Sequence, residues 1–600
     1  MTHARDVQTC IRCRSAKRQC DKLRPACSRC NKAKTNCTYE VQTPKTPSLK
    51  SPSRSEEALD TTPASSSPDS RVKRRARACF SCTRCHRLKI KCDRRSPCSR
   101  CARSGYETTC LYTHRVKIAE KPIVPSSTFA DEDPEFVVAT WFLKKRSSSH
   151  FRALLDRLET LPGLEAPPFT MAMREHIAGN CSSDFALAGN FPFGSSQSQP
   201  YASLDKIHDL LQNSTATAVL YTEAYFRVYY PGLPVLNLST FMSRMESFHD
   251  TPELEDFSWL AQYFVVLGLG AYATATDEVA SSEYFYASEA CLAKTAYMYR
   301  PTTTNISTLC LMVLAKSVAC ATCWALDTSW TVMGLVVRLS MMMALHKDWM
   351  AGFDEPAIAH ERHARRKLWV IVVYLDIQTS LITGQQSLLP QDDLPVGTDH
   401  CAPTSLEDCF DSIVPRLLST IHRFLSRINS QHDQITYDEA RQYNLEIRQM
   451  MCQTSDLPGS DNLRLTLDLF VCRALSILHG QFALAYDARS IYPVSYLSFV
   501  DTNLAMMRHH QHLSLTPGQS TDLALVAQPY MLDFFAAALS TCVQLLSTDS
   551  PFDYAATLCI LRNCVELIGK EESKSLCFRT GYHLLSSVFD LTNRTYMTSQ

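Results

Sequence analysis

Twelve cysteines near the N-terminus fall into two arrays of nearly the same spacing. The first reads Cys10-x2-Cys13-x6-Cys20-x6-Cys27-x2-Cys30-x6-Cys37. The second reads Cys82-x2-Cys85-x6-Cys92-x5-Cys98-x2-Cys101-x8-Cys110. Thiols set two residues apart, in repeated pairs, have the spacing of metal ligands. Basic residues are threaded between them: Arg12, Arg14, Lys17 and Arg18 in the first array, Arg84, Arg87, Lys89 and Lys91 in the second. Thiolates hold a soft or borderline cation such as zinc, and the cations around them hold a polyanion.

Six thiols cannot fill two separate tetrahedral zinc sites, which need eight ligand positions. One ion would strand two thiols, whereas two ions can share two bridging thiolates. At this point the residues resemble the fungal binuclear zinc cluster family of transcription factors, whose six-cysteine pattern both arrays match throughout. The resemblance implies two zinc ions per cluster, four in total, with Cys10 and Cys27 bridging in the first and Cys82 and Cys98 in the second. It also implies that a short helix after the second cysteine enters the DNA major groove. There a lysine four residues past that cysteine reads a base triplet of the CGG type. Lys17 after Cys13 and Lys89 after Cys85 occupy that position, and a lysine donor suits the O6 and N7 acceptors of guanine. Arg14, Arg18, Lys22, His86, Arg87 and Lys91 are assigned to phosphate positioning.

The charge of the whole chain hides this division. Residues 1–120 carry 28 Lys and Arg against 10 Asp and Glu, a net of +18, while the other 480 residues carry 33 against 50, a net of −17. Six thiolates and two divalent ions leave a cluster with a residual charge of about −2, so the cations exceed what the metal needs. Double-stranded DNA is the expected partner, with steep salt dependence. Cysteine is divided as unevenly: thirteen of the 26 lie within residues 10–110, and the rest are scattered from Cys181 to Cys577. The polar start MTHARDVQTC has no signal-peptide core, so a disulfide framework is not expected.

The elements that carry these residues follow in order. Residues 1–40 and 79–115 are read as the two cluster modules. Residues 41–78 are a Pro/Ser/Thr-rich linker expected to be disordered, ending in the basic run Arg71-Val-Lys73-Arg74-Arg75-Ala-Arg77, a nuclear import signal. The 44 residues between the arrays span about 36 Å as a flexible chain, comparable to one turn of DNA, so one chain can reach two half-sites. Residues 116–214 read as linker and short helices, with a second linker at 182–205. The acidic-aromatic run at 129–142 is a candidate coactivator contact, and Phe151, Leu154, Leu158 and Leu161 fall short of a coiled coil, leaving a homodimer as a candidate assembly.

From about 215 the pattern is that of long helices. In ERHARRKLWVIVVYLDIQTSLITGQQ, Glu361 can pair with Arg365, Leu368–Leu375 is wholly apolar, and Gly384 is placed to end the helix. YFRVYYPGLPVLN at 225–237, MMALHKD at 342–348, the Glu361–Gly384 helix with Asp376, and DDLP at 392–395 resemble the middle homology region of the same family. The resemblance implies that 215–450 is a helical regulatory domain that inhibits, dimerises or senses a small molecule, with a further helical region at 451–600. Phe257–Thr276 has no charge and is long enough to span a membrane, but Gln262 and hydroxyls interrupt it. It is read as a buried helix, and its Gly268-Leu-Gly270 as only a superficial dinucleotide fingerprint.

The fold class is therefore small zinc-scaffolded modules followed by a mostly α-helical regulatory domain. No nucleophile–base constellation, phosphate loop or HExxH supports an enzyme. The expected function is a nuclear, zinc-dependent, sequence-specific DNA-binding regulator of transcription. The alternative is a zinc-scaffolded protein-interaction platform tethered nonspecifically to DNA.

Overall fold

A computed structural model describes residues 9–39 apart from 16 and 17, then 82–93, 98–106, 110, 154 and 187–599. Within the last span it omits 251–255, 275–277, 320–322, 348–354, 398–402, 431–433, 486, 516–519, 547–553 and 573–575. The linker at 41–78 with its basic run, the acidic-aromatic run at 129–142 and the helical pattern around Leu154 lie outside the described residues. Residues 1–126 and 127–600 form two separate compact units.

Among the described residues the N-terminal unit has four short helices: α1 (Ile11–Ser15), α2 (Ser28–Lys32), α3 (Thr83–Arg87) and α4 (Ser99–Arg103). From residue 187 on, the described part of the second unit has a 3-10 turn at Ser196–Ala202 and then runs through α5 (Leu204–Ser214), α6 (Ala218–Val228), α7 (Leu238–Asp250), α8 (Phe257–Ala273), α9 (Glu278–Ala293), α10 (Thr303–Ala319), α11 (Cys323–Met342) and α12 (Pro356–Thr383). It continues with α13 (Ile413–Ile428), α14 (Tyr437–Cys452), α15 (Asp461–Ala483), α16 (Ala488–Ile491), α17 (Pro493–Leu515), α18 (Ser520–Ala527), α19 (Met531–Leu546), α20 (Tyr554–Lys570) and α21 (Leu576–Ser599). Among the described residues there is no β-strand.

Two helices organise this unit. α8 packs against α6, α9 and α10, and α17 packs against α15, α19 and α20, while α12 joins the two groups by touching α10, α11, α13 and α15. α8 is capped by Asp256, whose side chain accepts the Trp259 N–H at 3.1 Å. It is apolar all round and buried all round, as a helix surrounded by others must be. Its Gly268 and Gly270 make room for neighbours: a Cβ at Gly270 would fall 1.8 Å from the Tyr221 carbonyl oxygen, and one at Gly268 would fall 2.7 Å from the Phe285 ring. The glycine pair thus serves helix packing.

α12 behaves as its sequence indicates. Pro356 opens it, Gly384 closes it at φ 66°, and Glu361 lies 3.8 Å from Arg365. Leu368 to Leu375 are all buried. The helix also ties the neighbouring motifs together. Arg365 donates to the Met343 carbonyl at 2.6 Å and Trp369 Nε1 to the Asp393 carbonyl at 3.1 Å. Asp376 is fully buried and accepts from Ser387 at 2.6 Å, and burial raises its carboxyl to about 6.

The expectation of a second linker at 182–205 does not hold for 187–202. Phe191 is fully buried, the buried ammonium of Lys316 donates to the Gly189 and Phe191 carbonyls at 2.9 and 2.7 Å, and buried Glu289 accepts the Ser195 N–H at 2.7 Å. Gly, Ser and Gln content marks a linker only when nothing buries it. Here two charged side chains nearly a hundred residues or more away satisfy its backbone.

Candidate metal centres and nucleic-acid interface

Each of the four short helices begins on a thiol. The N–H groups of Cys13, Cys30, Cys85 and Cys101 each donate at 3.4 Å to the sulfur three residues earlier, on Cys10, Cys27, Cys82 and Cys98. Each helix also ends alike. The carbonyl of its inner cysteine accepts an amide five residues on: Arg18 from Cys13, Thr35 from Cys30, Ile90 from Cys85 and Tyr106 from Cys101. Such a six-to-one closure needs a left-handed residue just before the donor. Lys34, Lys89 and Gly105 supply it with φ of 46°, 52° and 71°. The Cys-x2-Cys unit is thus one helical turn, N-capped by its first sulfur and closed behind its second.

The caps gather the sulfurs. Cys10 lies 3.9 Å from Cys27 and 3.8 Å from Cys30, and Cys13 lies 3.8 Å from Cys27. In the second array Cys82 is 3.9 Å from Cys98 and 3.8 Å from Cys101, and Cys85 is 3.7 Å from Cys98. A disulfide would bring sulfurs to about 2.05 Å. Four sulfurs each about 2.3 Å from one zinc ion stand about 3.8 Å apart. The separations therefore fit zinc and an all-thiolate donor set.

In the first array two quartets form, Cys10–Cys13–Cys20–Cys27 and Cys10–Cys27–Cys30–Cys37, sharing Cys10 and Cys27. In the second the close quartet is Cys82, Cys85, Cys98 and Cys101, with Cys92 grouped beside Cys98. The outer thiols match between arrays: Cys37 accepts the Cys27 N–H and Cys110 the Cys98 N–H, both at 3.3 Å. Burial pushes the Cys13 and Cys85 thiols up to about 11, a direction that a coordinated divalent cation reverses. The Cys101 N–H draws Cys98 down to about 6.

The cations divide into two sets. Arg12 Nη1 lies 3.8 Å from the Cys30 sulfur and Arg84 Nη1 4.0 Å from the Cys101 sulfur, with the Arg84 guanidinium 4.2 Å over the Tyr106 ring. These two face the thiols. Spacing alone did not single them out, although they hold the same place, one residue before the second cysteine, in both arrays. Asp21 and Asp93 were also missed. Each follows a third cysteine and accepts the N–H of the serine after the fourth, Ser28 at 3.0 Å and Ser99 at 3.1 Å. Arg12 is nonetheless exposed and Arg84 half-buried, and Arg18, Lys22, Arg87, Lys89 and Lys91 are exposed. Lys17 lies outside the described residues, as do the side chains of Arg14 and His86.

Known proteins share these features. The model of the fungal Zn(2)-Cys(6) binuclear cluster domain matches residues 8–46 and again 80–118, and that of the fungal specific transcription factor domain matches 222–441. The chain is 34% identical over 102 residues to transcription factor lepE of Aspergillus flavus, covering 17% of this chain and 11% of that one. It is 44% identical over 63 residues to the Zn(2)-C6 fungal-type transcription factor pigI of Monascus ruber, covering 10% and 8%. The longest of these matches is to an uncharacterized transcriptional regulatory protein of Schizosaccharomyces pombe, 20% identical over 382 residues, 56% of this chain and 60% of that one. The matches thus span about a tenth to three fifths of these relatives' lengths. The domains whose models match this chain are those of zinc-binding, DNA-binding transcription regulators, not of enzymes.

Proposed function

We propose that this chain, which carries two Zn(2)-Cys(6) binuclear cluster domains and a fungal specific transcription factor domain, is a nuclear regulator of RNA polymerase II genes that reads CGG-like triplets through both clusters. Its twelve array cysteines hold four zinc ions, two per cluster, with Cys10 and Cys27 bridging one pair and Cys82 and Cys98 the other. The zinc contributes structure and charge, not reaction chemistry. The observation that carries the reading is the repeated separation of roles: in each array one arginine lies beside a sulfur of a buried thiol cluster, while Arg18, Lys22, Arg87, Lys89 and Lys91 are exposed.

Lys17 and Lys89 are the base-reading residues. Lys89 takes the left-handed position that closes α3 and is exposed there, which suits a long side chain that donates to base edges. Arg14, Arg18, Lys22, His86, Arg87 and Lys91 hold phosphates and set the register. The 44-residue connector lets one polypeptide occupy two half-sites, and the run at 129–142 meets a coactivator.

The test is selection of random duplex DNA by the zinc-loaded full chain at near-physiological salt. Paired CGG-like triplets at a fixed spacing, weakened by Lys17→Ala and by Lys89→Ala, are the expected result. Each loss should cost about 1–3 kcal/mol and relax the sequence preference. Enrichment of no sequence would replace this reading with that of a zinc-scaffolded interaction platform.

A further inference from the structure

Each cluster is built from two halves that repeat one another. In the first array, exchanging Cys10 with Cys27 and Cys13 with Cys30 carries the Cys10–Cys30 approach onto the Cys27–Cys13 approach, and both are 3.8 Å. In the second array the corresponding pairs, Cys82–Cys101 and Cys85–Cys98, stand at 3.8 and 3.7 Å. The same exchange carries α1 onto α2. Each is capped on its first sulfur at 3.4 Å and closed behind its inner cysteine by an amide five residues on, Arg18 at 2.8 Å and Thr35 at 3.1 Å. The closing turn after the second cysteine, to which DNA reading is assigned, therefore has a counterpart after the fifth.

That counterpart keeps its lysine in the first cluster and loses it in the second. Cys30-Asn-Lys32-Ala-Lys34 repeats the basic positions of Cys85-His-Arg87-Leu-Lys89, whereas Cys101-Ala-Arg103-Ser-Gly105 ends on glycine. Lys34, at φ 46°, takes the left-handed place that Lys89 takes at 52° and Gly105 at 71°. Any residue with a Cβ is disfavoured in this conformation, and glycine is not. Gly105 shows that the turn closes without a side chain, so the strain at Lys34 points to a use for its ammonium rather than to a need of the fold. Lys32 and Lys34 are exposed, as Arg87 and Lys89 are.

From this repeat we infer that Lys34 is a further base-reading residue, and that the first cluster can enter the major groove by either end, through α1 with Lys17 or through α2 with Lys34. Entering by α2, Lys34 donates to guanine O6 and N7, and Lys32 holds the phosphate that Arg87 holds for α3. The second cluster, with Gly105 at its other end, enters by α3 alone. The inference rests on the reading proposed above for Lys17 and Lys89.

The experiment is selection of random duplex DNA by the zinc-loaded full chain carrying both Lys17→Ala and Lys89→Ala, run beside the unsubstituted chain. The doubly substituted chain should still prefer a guanine-containing sequence over random duplex by about tenfold, as one lysine–guanine contact provides. Adding Lys34→Gly should erase that preference, and adding Lys34→Arg instead should keep it. Glycine suits this backbone, so a loss with unchanged zinc content reports the side chain and not misfolding. Enrichment by the unsubstituted chain with none by the doubly substituted one would overturn the inference and leave the reading of Lys17 and Lys89 standing. A preference that survives Lys34→Gly would overturn it in the same way. No enrichment by the unsubstituted chain would remove both.

Discussion

The two units of this protein are held together by different physics. Among the described residues of the N-terminal clusters, those buried are the cysteines themselves, with little more than Tyr39 and Ile90 packed against them. In the helical unit one continuous apolar core runs from Leu187 to Phe589. Modules of this size cannot bury enough apolar surface to offset chain entropy, so a metal must supply the difference. A body of several hundred residues needs no such help. The contrast teaches that one chain can have two independent stabilities, one set by zinc and the other by burial.

The largest test of that contrast is metal removal. Structural zinc contributes about 10–16 kcal/mol to small modules of this kind. A strong chelator should therefore abolish DNA binding and cluster structure together, while the helical unit keeps its calorimetric melting transition. A body that melts along with the clusters would break the comparison.

A mutation inside the body should do the reverse. Arg473 is almost fully buried and forks onto Asp533, with the guanidinium 4.3 Å over the Tyr530 ring. Asp533→Ala leaves that cation without its partner and should cost about 3–5 kcal/mol in urea unfolding of the body. DNA binding by the full chain at low temperature should be unchanged.

Acid sharpens the contrast by a smaller amount. His479 is fully buried between Ser495 and Asn444, at 3.0 and 3.1 Å, and burial holds its imidazole down to about 3. An unfolded histidine titrates near 6.5. The unfolded chain thus binds the proton first as pH falls, and stability present above about 6.5 is lost progressively toward the folded value. Between pH 7 and 5 this one ring should cost the body about 2 kcal/mol. His479→Gln should flatten that part of the stability–pH curve, measured by urea unfolding at each pH.

Much of the candidate site was legible because it is local. Cysteine spacing sets the local turns, since each Cys-x2-Cys pair closes one helical turn whose first sulfur accepts the N–H of the second cysteine. The same holds for the Glu361–Arg365 pair and the Gly384 cap, where three or four residues suffice to make the interaction. The linker reading of 187–202 failed for the opposite reason. Its burial depends on Lys316 and Glu289, whose partners no local pattern can name.

By itself, the sequence determined the two thiol arrays, their likeness to a zinc cluster family, the split of charge and the helical character of the body. These follow from residue types repeated at short intervals. Tertiary structure alone decided that Arg12 and Arg84 face sulfur while Lys89 faces solvent, that Gly268 and Gly270 serve helix packing, and that Arg473 meets Asp533 sixty residues away. The physical reason is range: capping and the turn of each Cys-x2-Cys pair are settled within a few residues, whereas burial is decided by everything that packs around it.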